Sequence, residues 1–218
     1  SGNDAKRYAV STIHNYFFLK ALDQVREGGF VAFITSRGFM DSPSNNPIRE
    51  ELARNARLVG AFRLPDGMFR DEAGTDVGSD LVVLQKYTGY DMSLDPDTQA
   101  FCDVNNGFKA MSGEDWTDIS MNCHWWKSMM APDSEAIVAT KMEKGTDPYG
   151  KPTLVCTHDG GMEGIAKLLT EYFKRDLYKD FVDYYKANAP KVVEQKPEPV
   201  KQVQAKPQVQ QVQQSAPV

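Results

Sequence analysis

Cysteine is scarce: Cys102, Cys123 and Cys156 stand 21 and 33 positions apart in 218 residues, with no Cys-x-x-Cys pair. That pattern excludes a disulfide scaffold and a zinc ribbon and leaves reduced thiols. No run approaches the roughly 20 consecutive apolar residues that cross a bilayer. The opening SGNDAKRYAV has no apolar core of the kind a signal peptide needs, so a soluble, cytoplasmic chain with no membrane contact is expected. An excess of basic residues is missing too: 25 Lys and Arg face 30 Asp and Glu, a net charge of −5. A free-standing DNA-binding module is usually basic, which counts against this piece gripping nucleic acid alone. There is no initiating Met, and a helical pattern starts almost at once. The chain therefore reads as a fragment of something longer.

What is present is ordinary globular composition, 41% hydrophobic and 25% charged, enough for one buried core. From Pro190 onward the sequence holds five Pro, eight Gln, seven Val and four Lys with no aromatic residue and no Gly. Neither helical nor strand periodicity survives proline at that density, so this is read as a disordered tail. Without it the charge is 21 basic against 28 acidic groups, about −7.

Ile13, Phe17, Phe18, Ala21, Leu22 and Val25 recur at helical spacing between Ser11 or Thr12 and Gly28-Gly29, an amphipathic helix with a glycine stop. FVAFITS (30–36) is short, β-rich and apolar without alternation, which predicts a strand buried on both faces in a parallel sheet. Asn46 before Pro47 predicts the cap of a second helix over IREELARN. LVGAFRL (58–64) and DLVVLQKY (80–87) read as two further strands, joined by a long hairpin-like loop rich in turn residues. This is an α/β pattern in which one antiparallel strand edges an otherwise parallel sheet. The sheet is incomplete, for no room for more strands exists before residue 12. Its inner edge is expected to expose backbone groups and apolar surface, with self-association unless a partner covers it. Beyond Thr88 the pattern loosens. IVAT (137–140) and TLVCT (153–157) are candidate strands flanking GTDPYGKP, and a stripe of Ile165, Leu168, Leu169, Tyr172, Phe173, Leu177, Phe181 and Tyr185 predicts a long helix ending by Pro190.

The order of LDQVREGGFVAFITSRGFM, NNPIREELARNARLVGAFRLPDGMF and AGTDVGSDLVVLQKYTG resembles the second half of the N6-adenine DNA methyltransferases. It is most similar to the modification subunits of type I restriction systems and the large methylase-helicase polypeptides of bacterial mobile elements. Gly28, Gly29, Ile48, Arg49, Leu52, Leu64, Pro65, Gly67, Phe69, Gly74, Leu84 and Lys86 stand at matching places, and the resemblance covers Ser11 to Gly89. It implies a class I methyltransferase (Rossmann-like) sheet in which FVAFITS is the fifth strand and the two later runs are the antiparallel pair at the edge. The family binds S-adenosylmethionine through a glycine-rich turn after its first strand and holds the adenine amino group with an Asn/Asp-Pro-Pro-Tyr/Phe loop after its fourth. Neither is here: the sequence has no Pro-Pro, and DVGSD (76–80) lacks the second glycine and precedes a strand. The resemblance thus places the catalytic motif and the cofactor site upstream of Ser1. S-adenosylmethionine is expected in the complete protein and none for this chain alone. DNA, the upstream methyltransferase half and a helicase or specificity subunit are the implied partners.

The family places a base-stacking aromatic in the loop before its last strand, where Phe69 falls; read from the residues alone, Phe69 plugs the underside of the hairpin. Arg37 and Arg70 flank loops at the same end of the sheet, as phosphate contacts or as solvated surface charges. Arg49 reads as a structural ion-pair partner of Glu50-Glu51 or of a neighbouring loop. Asp66, Asp71 and Glu72 form an acidic loop with no companion His or nucleophile at a helpful spacing. Cys123-His124 with Cys102, Cys156 and His158 lacks zinc-ligand spacing, so no metal is expected. His14 is a helix-face residue, and Trp125 and Trp126 read first as core anchors for the loop-rich region, or else as base-stacking residues or a partner-binding knob.

The organisation expected is therefore a methyltransferase-like half-domain over 1–89, a loop-rich extension over 90–160, a helix over 161–187 and a tail over 188–218. The function expected is the carboxyl-terminal part of an N6-adenine DNA methyltransferase, inactive alone. The competing reading is a non-catalytic interaction module of a larger methylase-helicase assembly; a weaker one is half of a methyltransferase acting on RNA or protein.

Overall fold

The computed structural model describes residues 12–70, 74, 77–91, 93, 95–106, 115–125, 136–147 and 149–178. The tail from 188, together with Asp71, Glu72, Trp126, Phe181 and Tyr185, lies outside the described residues. The chain divides into a unit of residues 1–188 and a second of 189–218. The fold is mixed α/β, and no helix among the described residues is long and apolar enough to cross a membrane.

Helix α1 spans Ile13–Gln24 and buries Asn15, Phe18 and Leu22. Only part of its stripe is used, since Ile13 is 67% and Phe17 51% exposed. Gly28, at φ +74, turns the chain into the sheet with the Tyr178 ring against its Cα. Strands β1 (Phe30–Ser36), β2 (Ala56–Arg63) and β3 (Ser79–Lys86) form a three-stranded sheet ordered β1-β3-β2, and both pairings are antiparallel.

Strands β2 and β3 are neighbours, as expected, but the antiparallel strand is central and not at the edge. The reason is burial. Val82, Val83 and Leu84 are buried in succession, so both faces and both flanks of β3 are covered. In β1 burial alternates instead: Val31 and Thr35 are buried while Phe30 is 43% and Ile34 55% exposed. FVAFITS is thus an edge strand in an antiparallel sheet, which corrects the expectation of a strand covered on both faces.

Register assigns the faces. Val31, Phe33 and Thr35 stand in rows with Leu84, Val82 and Asp80 and onward with Leu58, Ala61 and Arg63. This face meets α1, where Phe18 packs edge-on to Phe33 at 5.0 Å between ring centroids. The opposite face carries Ile34, Leu81 and Phe62 in one row, and a β-bulge interrupts β2 between Leu58 and Gly60.

Helix α2 (Gly38–Asp41), a 3-10 turn (Pro43–Asn45) and helix α3 (Asn46–Ala53) cover the first face. Asn46 is the first helical residue and not the cap; Asn45 precedes it without a side-chain capping bond, and the Asn46 side-chain Oδ1 accepts from Arg49 Nη2. Arg49 is no ion-pair partner of Glu50-Glu51 either. It is wholly buried and donates to the carbonyls of Phe39 at 2.5 Å and Ser42 at 3.3 Å, tying α2 to α3. Burial lowers its pKa to about 10.

The stretch expected to be loop-rich holds more order. Helix α4 (Pro96–Cys102) starts at Asp95, whose carboxylate accepts from the N–H groups of Asp97 and Thr98. Strands β4 (Val104–Asn106) and β5 (Ser120–Asn122) pair, as do β6 (Lys141–Thr146) and β7 (Pro152–Thr157). TLVCT is β7, but its partner is β6 and not IVAT. The turn closes where the Asp147 N–H donates to Lys151 O, which sets Thr146 opposite Pro152 and uses up the ladder on residues 141–146. Ile137 bridges to Arg63 of β2 instead. One core cluster joins Phe18, Val31, Leu52 and Val82 to Phe101, Trp125, Leu154 and Cys156, so α4, β7 and Trp125 share the core of the sheet.

Helix α5 (Gly161–Phe173) packs Ile165, Leu168, Leu169 and Tyr172 with Phe62 and Leu64 on the opposite face. It stops well short of residue 187, because the chain turns at Lys174 and lays the Leu177 carbonyl on the Arg57 guanidinium.

Candidate functional site

Ligands of open α/β sheets gather outside the carboxyl ends of parallel strands, and β1 and β2, each antiparallel to β3, run parallel to one another. At that end a cavity of about 690 Å³ is lined by Ser36, Arg37, Asp66, Gly78, Asp147 and Tyr149, among others. One charge system, Arg37 with Asp66, lines it, and a second, buried around Arg63, lies at the same end of the sheet.

Arg37 follows β1 directly. Its Nη1 donates to Thr153 Oγ1 at 2.5 Å and to the Leu154 carbonyl at 2.7 Å, and its Nη2 pairs with Asp66. The other Asp66 oxygen accepts the Cys156 N–H at 2.7 Å, and the Asp66 N–H returns to the Cys156 carbonyl at 2.7 Å. Arg37 and Asp66 therefore lace the sheet end to β7. Burial, with Arg63 nearby, lowers the Arg37 pKa from its ordinary value. Arg37 is not a solvated surface charge, and its terminal nitrogens are committed to protein acceptors.

The second system is Arg63, from the end of β2. Its Nε and Nη2 donate to the two oxygens of Asp80 at 2.9 and 3.0 Å, and Nη2 lies 2.8 Å from Asp41 Oδ2. Asp41 is held in turn by Trp125 Nε1 and by the Asn122 N–H, each at 3.0 Å. The Trp125 ring lies 4.8 Å below the Arg63 guanidinium carbon. Burial alone would lower Arg63, but Asp41 and Asp80 together raise it above its ordinary value. Burial raises the Asp80 carboxyl, with Arg63 pulling the other way. Arg63 Nη1 and Thr35 Oγ1 are buried and, among the described residues, have no hydrogen-bond partner. These residues were missed in the sequence. The available signal was an Arg and an Asp set inside apolar runs, AFRL and SDLVVL.

The remaining candidates separate. Phe69 is half-buried against the cluster of Phe62, Leu64, Val138 and Ile165. Arg70 is exposed beyond the turn, its N–H bonded to the Gly67 carbonyl. His124 donates to the Ala61 carbonyl at 3.2 Å, while His158 accepts from the Gly160 N–H at 3.0 Å as α5 begins. No group of three possible metal ligands occurs among the described residues, and all three cysteines are free thiols. Trp125 is wholly buried, a core anchor. His14 is half-buried on α1.

Gly78, the glycine of DVGSD, offers no open cradle to a cofactor. A cofactor cradle needs open backbone, and at Gly78 the space a Cβ would take lies 1.8 Å from Arg37 Nη2. The Gly78 carbonyl is already bound by the Arg37 N–H at 3.0 Å.

No family model and no solved structure matches the chain. A curated relative, the Defense against restriction protein B of Escherichia phage P1, is 36% identical over 86 residues. Those residues are 39% of this chain and 4% of that protein, so the chain spans a small part of the relative to which it is similar.

Proposed function

We propose that this chain is the carboxyl-terminal part of an S-adenosylmethionine-dependent N6-adenine DNA methyltransferase from a restriction-related system, acting in the cytoplasm on DNA and incomplete without an upstream polypeptide. The observation that carries the reading is the arrangement of the segment that resembles the family: β1, β3 and β2 make one sheet whose parallel carboxyl ends open on a single cavity. The similarity to a protein named for defence against restriction points the same way. In this reading residues 12–178 support the target-base end of a larger domain. Arg37, Asp66, Arg63 and Asp80 hold its loops in place, and the cofactor and the adenine-binding loop belong to the upstream part.

The second reading is a non-catalytic module that docks another subunit, favoured by the exposed Phe30 and Ile34 of β1. Calorimetric titration of S-adenosylmethionine separates the two. Binding only when the upstream polypeptide is present supports the methyltransferase. Absence of binding in both cases supports the module, and binding by this chain alone overturns the assignment of the cofactor site to the upstream part.

A further inference from the structure

Two Asp-Gly pairs occur in the sequence, Asp66-Gly67 and Asp159-Gly160. An aspartate before a glycine is chemically exposed, because no Cβ on the glycine shields its nitrogen from the carboxyl carbon of the preceding residue. The structure treats the two pairs differently. One oxygen of Asp66 pairs with Arg37 and the other accepts the Cys156 N–H at 2.7 Å, while the Asp66 N–H donates to the Cys156 carbonyl at 2.7 Å. A carboxylate held from both oxygens cannot swing toward the nitrogen that follows it.

Asp159 and Gly160 are both exposed, in the turn between β7 and α5. One main-chain bond closes that turn, from the Gly161 N–H to the His158 carbonyl at 3.0 Å. The Asp159 N–H donates to Thr140 Oγ1 at 2.8 Å, but no bond among the described residues holds the Asp159 carboxylate. Gly160 and Gly161 follow in succession, so the main chain on the carboxyl side of Asp159 is free of side chains.

A base stands in place as well. His158 Nδ1 accepts the Gly160 N–H at 3.0 Å, so the lone pair is on Nδ1 and the ring hydrogen on Nε2. Glycines make the seat for this ring: a Cβ at Gly160 would lie 3.0 Å from His158 Cε1, and one at Gly164 would lie 2.6 Å from it. An imidazole at hydrogen-bond distance from the proton to be removed has the geometry of a general base.

We propose that Asp159-Gly160 is a site of covalent self-modification, at which Asp159 is converted to isoaspartate through a succinimide with His158 as the base. The Gly160 nitrogen attacks Asp159 Cγ as its proton passes to His158 Nδ1. The new N–Cγ bond forms, the Cγ–OH bond breaks, and the proton returned by His158 leaves with the hydroxyl as water. Water then opens the ring. Attack at the side-chain carbonyl restores aspartate, and attack at the main-chain carbonyl leaves the chain running through Cγ with the old main-chain carbonyl as a free carboxylate. Nothing is oxidised or reduced, and water is the only co-reactant. The main chain gains a methylene carbon immediately before α5. That breaks the turn and unseats the first helical residues, where the Gly164 N–H meets the Gly160 carbonyl at 3.1 Å and Ile165 packs with Phe62, Leu64 and Val138.

The test incubates the whole chain at neutral pH, folded and in urea, and locates isoaspartate by peptide mapping. Deamidation of an asparagine changes the peptide mass and isomerisation of Asp159 does not, so the two are told apart. In the folded chain Asp159 is expected to convert on the order of tenfold or more faster than Asp66, and in urea the two are expected to convert at similar rates. His158→Gln removes the base and should slow Asp159 roughly tenfold in the folded chain, with little effect in urea. Gly164→Ala is the second variant: it favours the helix and crowds the imidazole off Gly160 while leaving the sequence from His158 to Gly161 intact, so it should slow Asp159 in the same way. Amide exchange at Ile165 should rise in step with isoaspartate. Conversion of Asp159 no faster than that of Asp66 in the folded chain overturns the proposal. Unchanged folded-state rates in both variants overturn it too, since the imidazole would then take no part.

Discussion

Arg63 and Asp80 stand opposite each other across the β2–β3 ladder and close a two-bond pair, at 2.9 and 3.0 Å, with 1% and 0% of their surfaces exposed. A charge buried this deeply is tolerable only while its partner remains. Asp80→Ala should cost about 3–5 kcal/mol, whereas Arg63→Met with Asp80→Leu should cost clearly less than the single changes added together. Urea unfolding of the two single variants and the double variant measures this, and strict additivity would show that the pair is not coupled.

Gly78 and Arg37 share one volume. An added methyl at Gly78 meets the guanidinium at 1.8 Å and must push it off Thr153 and Leu154. Gly78→Ala should therefore destabilise by about 2–3 kcal/mol in the parent and by much less in an Arg37→Ala background. Equal losses in both backgrounds would mean that the glycine is needed for its backbone alone.

The Tyr172 hydroxyl donates to the Val59 carbonyl at 2.9 Å and anchors α5 to β2. Tyr172→Phe keeps the ring packed edge-on against Phe62 and leaves that carbonyl unbonded, a loss of about 1–2 kcal/mol. Amide exchange should speed up in α5 before it does in β1.

Burial pushes the Cys102 thiol up to about 12 and the Cys156 thiol up to about 11, and partial burial, with Asp103 nearby, also raises Cys123. A thiol whose folded pKa lies above its unfolded value of about 8.5 contributes stability that is complete below that value. The contribution is lost as pH climbs through the folded pKa values, about 11 and about 12. Native protein at pH 8 should alkylate first at Cys123, with Cys102 and Cys156 reacting only on unfolding. Between pH 8 and 11, Cys102→Ala should lose less stability than the parent does.

Much of the local structure was legible. Strand β1 begins and ends where FVAFITS does, and the stripe from Ile13 marks α1. The β2–β3 hairpin was legible too, but not which strand stands at the centre or which strand β7 takes as its partner, because apolar runs tell how much burial a strand needs and not which neighbour supplies it. The exposed edge, by contrast, followed from counting strands. Helix α4 could have been read from Asp95-Pro96, a capping residue before a proline. The charged site escaped because Arg63 and Asp80 mark strand ends in the sequence, while only the hairpin register makes them partners. Arg37 and Asp66 meet across 29 residues of sequence through a contact that no local pattern encodes.

The bulge at Val59 decides where two arginines go. Arg57 and Arg63 are six positions apart, an even number, so an unbroken strand would point both to the same side of the sheet. Their partners on β3, Gln85 and Asp80, are five apart and point to opposite sides. The extra residue reconciles the two counts: it sends Arg57 toward Leu177 and Arg63 toward Asp41 and Trp125. Removing Val59 would straighten the ladder and strand one guanidinium among apolar side chains, so the length of this strand is as constrained as its composition.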